Sequence, residues 1–425
     1  MNNPNRKPHV IILGGGFGGL ACAKKLVGEH CRVTLIDRNN HHLFQPLLYQ
    51  VATSGLSQPE IAKPIRGELP MDRNIRVLMD EVTKIDLDNK EVICREHRYV
   101  YDYLIIGLGA TNGYFGNDHW AEHTVGLKSL EEAAQIRRQV LHAYERAEME
   151  EDIQEQKRLM TTVVVGGGPT GVEMAGALVE LGRHVLDKDF THIDPAECHV
   201  ILIEASPKIL GQFSDPLPKK AERALRDMGV DVRTNSPVKD ISAGCVELED
   251  KKIIAETIIW AAGVQAPALT RTLGVPVDRG GRFLIEGDCS LPGHPEVFAI
   301  GDIVSLTDAR NVKVPGVSPA AIQMGGYVAD IINQEIEEGQ RVKRTSFAYF
   351  DKGSMATIGR SKAVAQLGPL KFDGIIAWFL WLAVHLVFLV GFRNKILVLV
   401  QWGYAYVRYK HGARIITGLT QPQNA

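Results

Sequence analysis

A chain of 425 residues is long enough for two or three domains of ~100 to 200 residues each, so a sizeable core is assured. Its 48 basic and 50 acidic side chains leave a net charge of −2, without the basic excess that holding a polyanion requires, and nucleic acid is not expected as a partner. The six cysteines (Cys22, Cys31, Cys94, Cys198, Cys245, Cys289) never come closer than nine positions and form no C-x-x-C, which argues against zinc and iron–sulfur sites and for reduced, buried thiols.

The first strand-like run begins by His9, leaving no room for a signal or transit sequence, and a reducing, cytoplasmic setting is expected. HVIILGGGFGGLACAKKL places Gly14, Gly16 and Gly19 in G-x-G-x-x-G register between that run and a helix-like segment. The first glycine permits a tight turn, the second lets backbone approach a pyrophosphate, the third lets helix pack on strand, and the helix N-terminus faces the anion. The next strand, CRVTLIDR, ends at Asp37, 18 residues past Gly19, where an acid accepts hydrogen bonds from an adenosine ribose. His41 and His42 are adjacent, point oppositely on a strand and make a poor metal pair, so no metal is predicted. TTVVVGGGPTGVEMAGALVEL repeats the device with Gly166, Gly168 and Gly171, and CHVILIEAS ends at Glu204, 33 residues past Gly171. The excess distance is filled by RHVLDKDFTHIDPAE, an insertion after the helix. Two fingerprints predict two dinucleotides. Each domain also has a later β run ending in a glycine turn, YDYLIIGLGATNGYFG around Gly107 to Thr111 and ETIIWAAGVQAP around Gly263, as expected for strands returning beneath a cofactor; VFAIGDIVSL then sets Asp302 at a strand end.

The order GGGFGG, LIIGLGAT, GGGPTG, WAAGV, AIGD resembles the flavoproteins in which an NAD(P)H domain is inserted between the halves of an FAD domain, and residues 8 to 340 fit that plan. NNHHLFQPLLYQVAT, GPTGVEMAGALVEL, FAYFDKGSMATIGR and VHLVFLVGFRN bring the likeness closer to the type II, non-pumping NADH:quinone oxidoreductases. The resemblance implies an α/β fold of two Rossmann-like dinucleotide-binding domains plus a C-terminal membrane-associating helical segment. Its expected divisions are 1–125 and 287–343 for FAD, 126–286 for NADH and 344–425 for the membrane region. It implies FAD-dependent oxidation of NADH with two-electron reduction of a membrane quinone, ubiquinone or menaquinone, and a homodimer. Disulfide reductases of this fold and sulfide:quinone reductases need thiols, yet residues 38 to 93 contain no cysteine, so direct transfer from flavin to acceptor is expected.

By the same resemblance Gly14, Gly16, Gly19, Asp37, Arg38, Val82, Thr111 and Asp302 line FAD, while Glu204 holds the NADH ribose with Gly168 and Gly171 at its pyrophosphate. Arg38 also reads as a solvated surface charge. Glu173 would face the nicotinamide near the flavin, or be a first-turn acid favoured by the helix dipole. Quinone reductases of this family often carry A-Q-x-A-x-Q where this chain has Ser318, Pro319, Ala320, Ala321, Ile322 and Gln323. Only the last glutamine survives, leaving Gln323 as a contact beside the ring or a solvated helix-face amide. Lys352 would sit near the flavin and quinone head, or be a solvated loop lysine. The FQPLLYQ loop, with Gln45 and Tyr49, would flank the ring or pack under it. A flavin-containing NADH sensor and an NAD(P)H:ferredoxin reductase are the competing readings.

GIIAWFLWLAVHLVFLVGF, residues 374 to 392, carries no charge. As one helix its nineteen residues reach about 28 Å at ~1.5 Å each, close to the ~30 Å hydrocarbon core. After Asp373 no acid follows, whereas Arg393, Lys395, Arg408, Lys410 and Arg414 do, and a single span would carry all five outward, against the positive-inside tendency. The expectation is a segment lying in the interface at the cytoplasmic face of the inner (plasma) membrane, with Trp378, Trp381, Phe388 and Phe392 among acyl chains and the cations at headgroups. A buried core or dimer helix is the alternative, since the run is apolar all round.

Overall fold

The computed structural model describes residues 6–28, 30–70, 74–389, 392–408 and 413–418, without the side chains of 392, 393 and 404–408. In chain order run β1 (His9–Leu13), α1 (Phe17–Lys25), β2 (Arg32–Asp37), α2 (Leu48–Ala52), β3 (Ile75–Met79), β4 (Tyr103–Ile106) and α3 (Leu130–Met149). There follow β5 (Thr161–Val165), α4 (Pro169–Glu180), β6 (His199–Ile203), β7 (Asp231–Arg233), β8 (Thr257–Trp260), β9 (His294–Ala299) and α5 (Ser318–Glu338). The chain continues with β10 (Ser354–Gly359), β11 (Lys362–Leu367), β12 (Leu370–Asp373), α6 (Gly374–Phe388) and α7 (Phe392–Arg408).

Two compact units result: Met1–Leu43, Ala62–Thr111 and Val264–Lys352 form the first, and Phe44–Ile61, Asn112–Gly263 and Gly353–Ala425 the second. The first is built on a sheet ordered Ser290–Leu291, β9, β4, β1, β2, β3, parallel except for the antiparallel Ser290–Leu291 edge. All five residues of β1 are buried, as expected for a parallel strand covered on both faces. Helices α1 and α5 pack so closely that a Cβ on Gly325 would lie 2.2 Å from the Gly18 carbonyl oxygen.

The second unit has its own parallel sheet, ordered Val125–Gly126, β8, β5, β6, β7. A separate antiparallel sheet of β10, β11 and β12 follows. Small residues in α4 set its fit: a Cβ at Gly176 would stand 1.9 Å from the Ile358 carbonyl oxygen, so only glycine lets α4 lie against β10. In both parallel sheets the first strand of the glycine fingerprint lies inside the sheet, which puts its loop at the carboxyl ends of the strands, where such sheets bind ligands.

Candidate active site

The two glycine loops are built alike, each within its own unit. Gly14 and Gly166 sit at φ 99° and 113°, a backbone that side chains avoid, and a Cβ on either would strike the neighbouring strand-end loop, at the Gly107 carbonyl oxygen (2.2 Å) or the Ala262 Cα (2.5 Å). Gly19 and Gly171 would clash at 1.9 and 1.8 Å with the carbonyl oxygens of Gly14 and Gly166. Around Gly16 and Gly168, the N-caps of α1 and α4, nothing lies within 4 Å of where a Cβ would be. Each loop is thus packed shut behind and open in front, at a helix N-terminus, as a pyrophosphate requires. The acids close the loops in the same manner. Asp37 accepts from the Gly15 N–H (2.6 Å) and the Asn39 N–H (2.7 Å), and Glu204 from the Gly167 N–H (2.7 Å) and the Ser206 N–H (2.7 Å). A carboxylate has about four acceptor positions, so each keeps capacity for a ribose diol.

Of the other residues expected at FAD, Arg38 is exposed just beyond Asp37, and Val82 pairs with Cys94 in an antiparallel hairpin and packs on the core of the first unit. The Thr111 hydroxyl donates to the Gln265 carbonyl at 3.3 Å, and Asp302 lies in the short helical turn after β9. In the second unit Gly263 follows β8, and its carbonyl accepts from the Gly113 N–H at 3.0 Å.

Glu173 lies in the first turns of α4, half-buried, with Thr357 of β10, Trp381 of α6 and Tyr49 of α2 around it. Burial pushes its carboxyl up to about 8, although the Thr357 N–H (3.3 Å) and the Trp381 indole favour the ionised form. The indole N–H stays outside full hydrogen-bond geometry and has no other partner among the described residues. Glu173 is therefore largely protonated at neutral pH. Glu180, two turns further on α4, is also raised by burial and accepts from the Arg360 N–H. The buried Tyr49 ring packs edge-on to Trp381 (6.5 Å), and its hydroxyl accepts from the Gln50 amide at 2.8 Å. The Trp402 indole in turn donates to Gln50 Oε1 at 2.8 Å. His385 stacks on Trp381 at 4.1 Å, donates from Nδ1 to the Trp381 carbonyl at 2.8 Å, and is driven by burial down to about 4, hence neutral. Sequence reasoning named Glu173 and Tyr49 but missed Gln50, Glu180, Thr357, His385 and Trp402. Gln45, named with Tyr49, donates to the Lys128 carbonyl at 3.4 Å.

In the first unit the Gln323 amide on α5 is engaged from both ends by one residue. Its Nε2 donates to the Phe350 carbonyl (3.0 Å) while its Oε1 accepts from the Phe350 N–H (2.9 Å). Both ends of the amide are thus engaged, and it holds the segment that leads to Lys352, which is exposed two residues later.

The apolar run differs from the expectation in three respects. Helix α6 is fifteen residues and stops at Phe388, because Leu389 turns to an extended backbone (ψ 134°). As expected of a segment that does not span, no helix among the described residues is long and apolar enough to cross a membrane. Trp381, expected among acyl chains, is 2% exposed and packs inside the protein. Arg414, expected at headgroups, donates to the Val185 carbonyl at 3.2 Å and pairs with Asp189, while Lys395 caps the last turn of α6 through the Val387 carbonyl at 2.6 Å. The side chains of Phe392, Arg393 and Arg408 and all of Lys410 lie outside the described residues.

The pyridine nucleotide-disulphide oxidoreductase family matches residues 8–325, and the NDH2 C-terminal domain matches residues 352–407. The chain is 42% identical over 427 aligned positions to the type II NADH:quinone oxidoreductase Ndh of Mycobacterium tuberculosis, covering 97% of this chain and 91% of that one. The chain belongs to the type II NADH:quinone oxidoreductases. The external alternative NADH-ubiquinone oxidoreductase of Yarrowia lipolytica is 28% identical, over 94% of this chain and 79% of that one. The fold agrees with NDH2 from Plasmodium falciparum in complex with NADH, at TM-score 0.89 and 21% identity over 97% and 100% of the two chains.

As a type II NADH:quinone oxidoreductase the chain oxidises NADH and reduces quinone without pumping protons, using FAD. The residues present fit that cofactor, since the loop at Gly14 to Gly19 is a cradle a Cβ would fill and Asp37 stands beside it. When bound, the flavin accepts hydride from nicotinamide and delivers two electrons to quinone. The cysteines agree with direct transfer: all six are free, and burial raises Cys22 and Cys31 far from the thiolate form that disulfide exchange uses.

Proposed function

We propose that this type II NADH:quinone oxidoreductase divides its work between two sets of residues and works at the surface of a lipid bilayer. FAD is held by Gly14, Gly16, Gly19, Asp37, Arg38, Val82, Thr111 and Asp302, and NADH by Gly168, Gly171, Glu204 and Gly263. Glu173 stands as a protonated carboxyl at the reacting end. Forming a quinol from NADH takes one proton from solvent per turnover, and a carboxyl held near 8 can lose and regain a proton at working pH. On the acceptor side Lys352 meets the quinone head, and Gln323 holds the Phe350 segment that carries it.

One observation carries the lipid reading, the outward face of α6 and α7. Ile375, Ile376, Phe379, Val387 and Phe388 on α6, with Ile396, Leu399 and Val400 on α7, are 41% to 65% exposed. The opposite face of α6 buries Ala377 and Trp381. A helix whose inner face is already used and whose outer face is still apolar suits an interface between protein and lipid. The quinone is dissolved in that lipid. The placement on the cytoplasmic leaflet rests on the charge asymmetry of the sequence, and the homodimer on family likeness. Inverted and right-side-out vesicles from cells expressing the chain test the placement: NADH should be oxidised at once by the inverted ones and only after permeabilisation by the others. Equal rates in both would overturn it, and sedimentation of the detergent-solubilised chain tests the dimer.

A further inference from the structure

The loop Tyr114 to Asn117 is a tight turn of unusual composition. The Asn117 N–H donates to the Tyr114 carbonyl at 3.0 Å, and both central residues, Phe115 (φ 54°) and Gly116 (φ 92°), lie in the left-handed region. A turn of that hand favours Asn, Asp or Gly at its first central position, and a bulky side chain there is strained. The strain is not offset by burial, because the Phe115 ring is 73% exposed. Stability of the fold alone does not account for a phenylalanine here.

Its surroundings lie within one unit and lead to the nucleotide loop. The ring meets Trp260, the last residue of β8, edge-on at 6.1 Å. It also lies over Gly263, where a Cβ would stand 2.7 Å from the ring's Cζ. Ala262, the next residue back, is the one that Gly166 of the nucleotide loop packs against. In the sheet β5 lies between β6 and β8, so Glu204, just past β6, and Phe115, packed on Trp260 at the end of β8, stand on opposite sides of the loop. With the adenosine ribose at Glu204 and the pyrophosphate at Gly168, the other half of the dinucleotide runs toward β8. We infer that Phe115 is a binding residue for the nicotinamide half of NADH, its exposed ring supplying an apolar face to that end. This rests on the reading of Glu204 as the adenosine end.

The test is calorimetric titration of oxidised holoenzyme with NAD⁺ and, separately, with ADP-ribose, which lacks the nicotinamide. Phe115→Asn suits the turn, so its melting temperature should equal or exceed that of the parent. Its affinity for NAD⁺ should fall about tenfold, the scale of losing one aromatic face, with the KM for NADH rising in step and ADP-ribose binding unchanged. Phe115→Tyr should retain NAD⁺ affinity. Unchanged NAD⁺ affinity in Phe115→Asn overturns the assignment, and so does an equal loss for ADP-ribose, which would place the ring at the adenosine end or in support of the domain. A shifted sedimentation coefficient with normal NAD⁺ binding would overturn it too, by giving the ring to a contact between copies. If Glu204→Gln leaves ADP-ribose affinity untouched, the placement of the adenosine has failed; if it weakens it while Phe115→Asn spares NAD⁺, the Phe115 assignment has.

Discussion

Glu173→Gln replaces a carboxyl that the protein holds protonated with a neutral group of the same shape. In the folded chain the carboxyl titrates at about 8 against an ordinary value of 4.5, because burial penalises the charged form more than Thr357 and Trp381 support it. The sign follows from proton counting: between those values the folded state binds more protons than the unfolded one, so stability falls as pH rises from 4.5 to about 8 and stays low above it. The gap, at about 1.4 kcal/mol per pH unit, bounds the effect at roughly 5 kcal/mol. His385 has the opposite sign, losing stability as pH falls from 6.5 to about 4, so the window from pH 7 to 9 reports on Glu173 without it. Melting of parent and Glu173→Gln, followed by release of flavin fluorescence at constant ionic strength, should already differ at pH 7, with the variant melting several degrees higher, and the gap should widen by about 1.4 kcal/mol toward pH 9 as the last pH unit of the difference is lost. The rate of quinone reduction should decline in the parent as Glu173 loses its proton near 8, and this limb should be absent from the variant. Parallel melting curves across the window would refute the claim that the carboxyl is held protonated.

Glu204→Gln should narrow the preference for NADH over NADPH, since it removes a like-charge clash with a 2′-phosphate where Ala205, Ser206 and Pro207 supply no cation; a parent enzyme that uses both equally would defeat the assignment. Gln323→Ala should leave bleaching of the flavin by NADH in stopped flow near normal and slow its reoxidation by quinone roughly tenfold, because two hydrogen bonds to Phe350 are lost on the acceptor side alone. Equal slowing of both steps would mean that Gln323 supports the flavin itself.

The parts of this fold that local chemistry specifies were legible in the sequence. Glycine spacing after a β-branched run settles each nucleotide loop, since turn, close approach and helix packing all fall within six positions, and an acid at the next strand end completes the loop. What depends on distant partners was not. Gln50 and Trp402 are separated by 352 positions, and nothing in either segment marks the other as its partner. Phe44–Ile61 likewise reads as part of the FAD domain, yet its contacts place it in the second unit. The apolar run hid its two faces because both are apolar, one against protein at Trp381 and one outward at Phe379, so periodicity carried no signal. The pairing of Arg414 with Asp189 joins the tail to the insertion after α4, which no spacing rule predicts. By these contacts, truncation after Asp373 would strip Trp381 and His385 from around Glu173 and damage the site along with the surface.

Point variants on the outward face avoid that damage. Ile376 and Phe379 are 61% and 59% exposed and do not line the site, and each stands to gain roughly 1 kcal/mol on entering hydrocarbon, a gain that a carboxylate reverses. The most direct measurement is the rate at which Ile376→Glu/Phe379→Glu and the parent oxidise NADH with a long-chain quinone confined to lipid vesicles, set against the rate with a water-soluble acceptor. A loss of about tenfold or more is expected with the vesicle quinone, together with lost flotation on the vesicles and an unchanged rate with the soluble acceptor. A variant that floats with the vesicles and reduces their quinone as fast as the parent would contradict it.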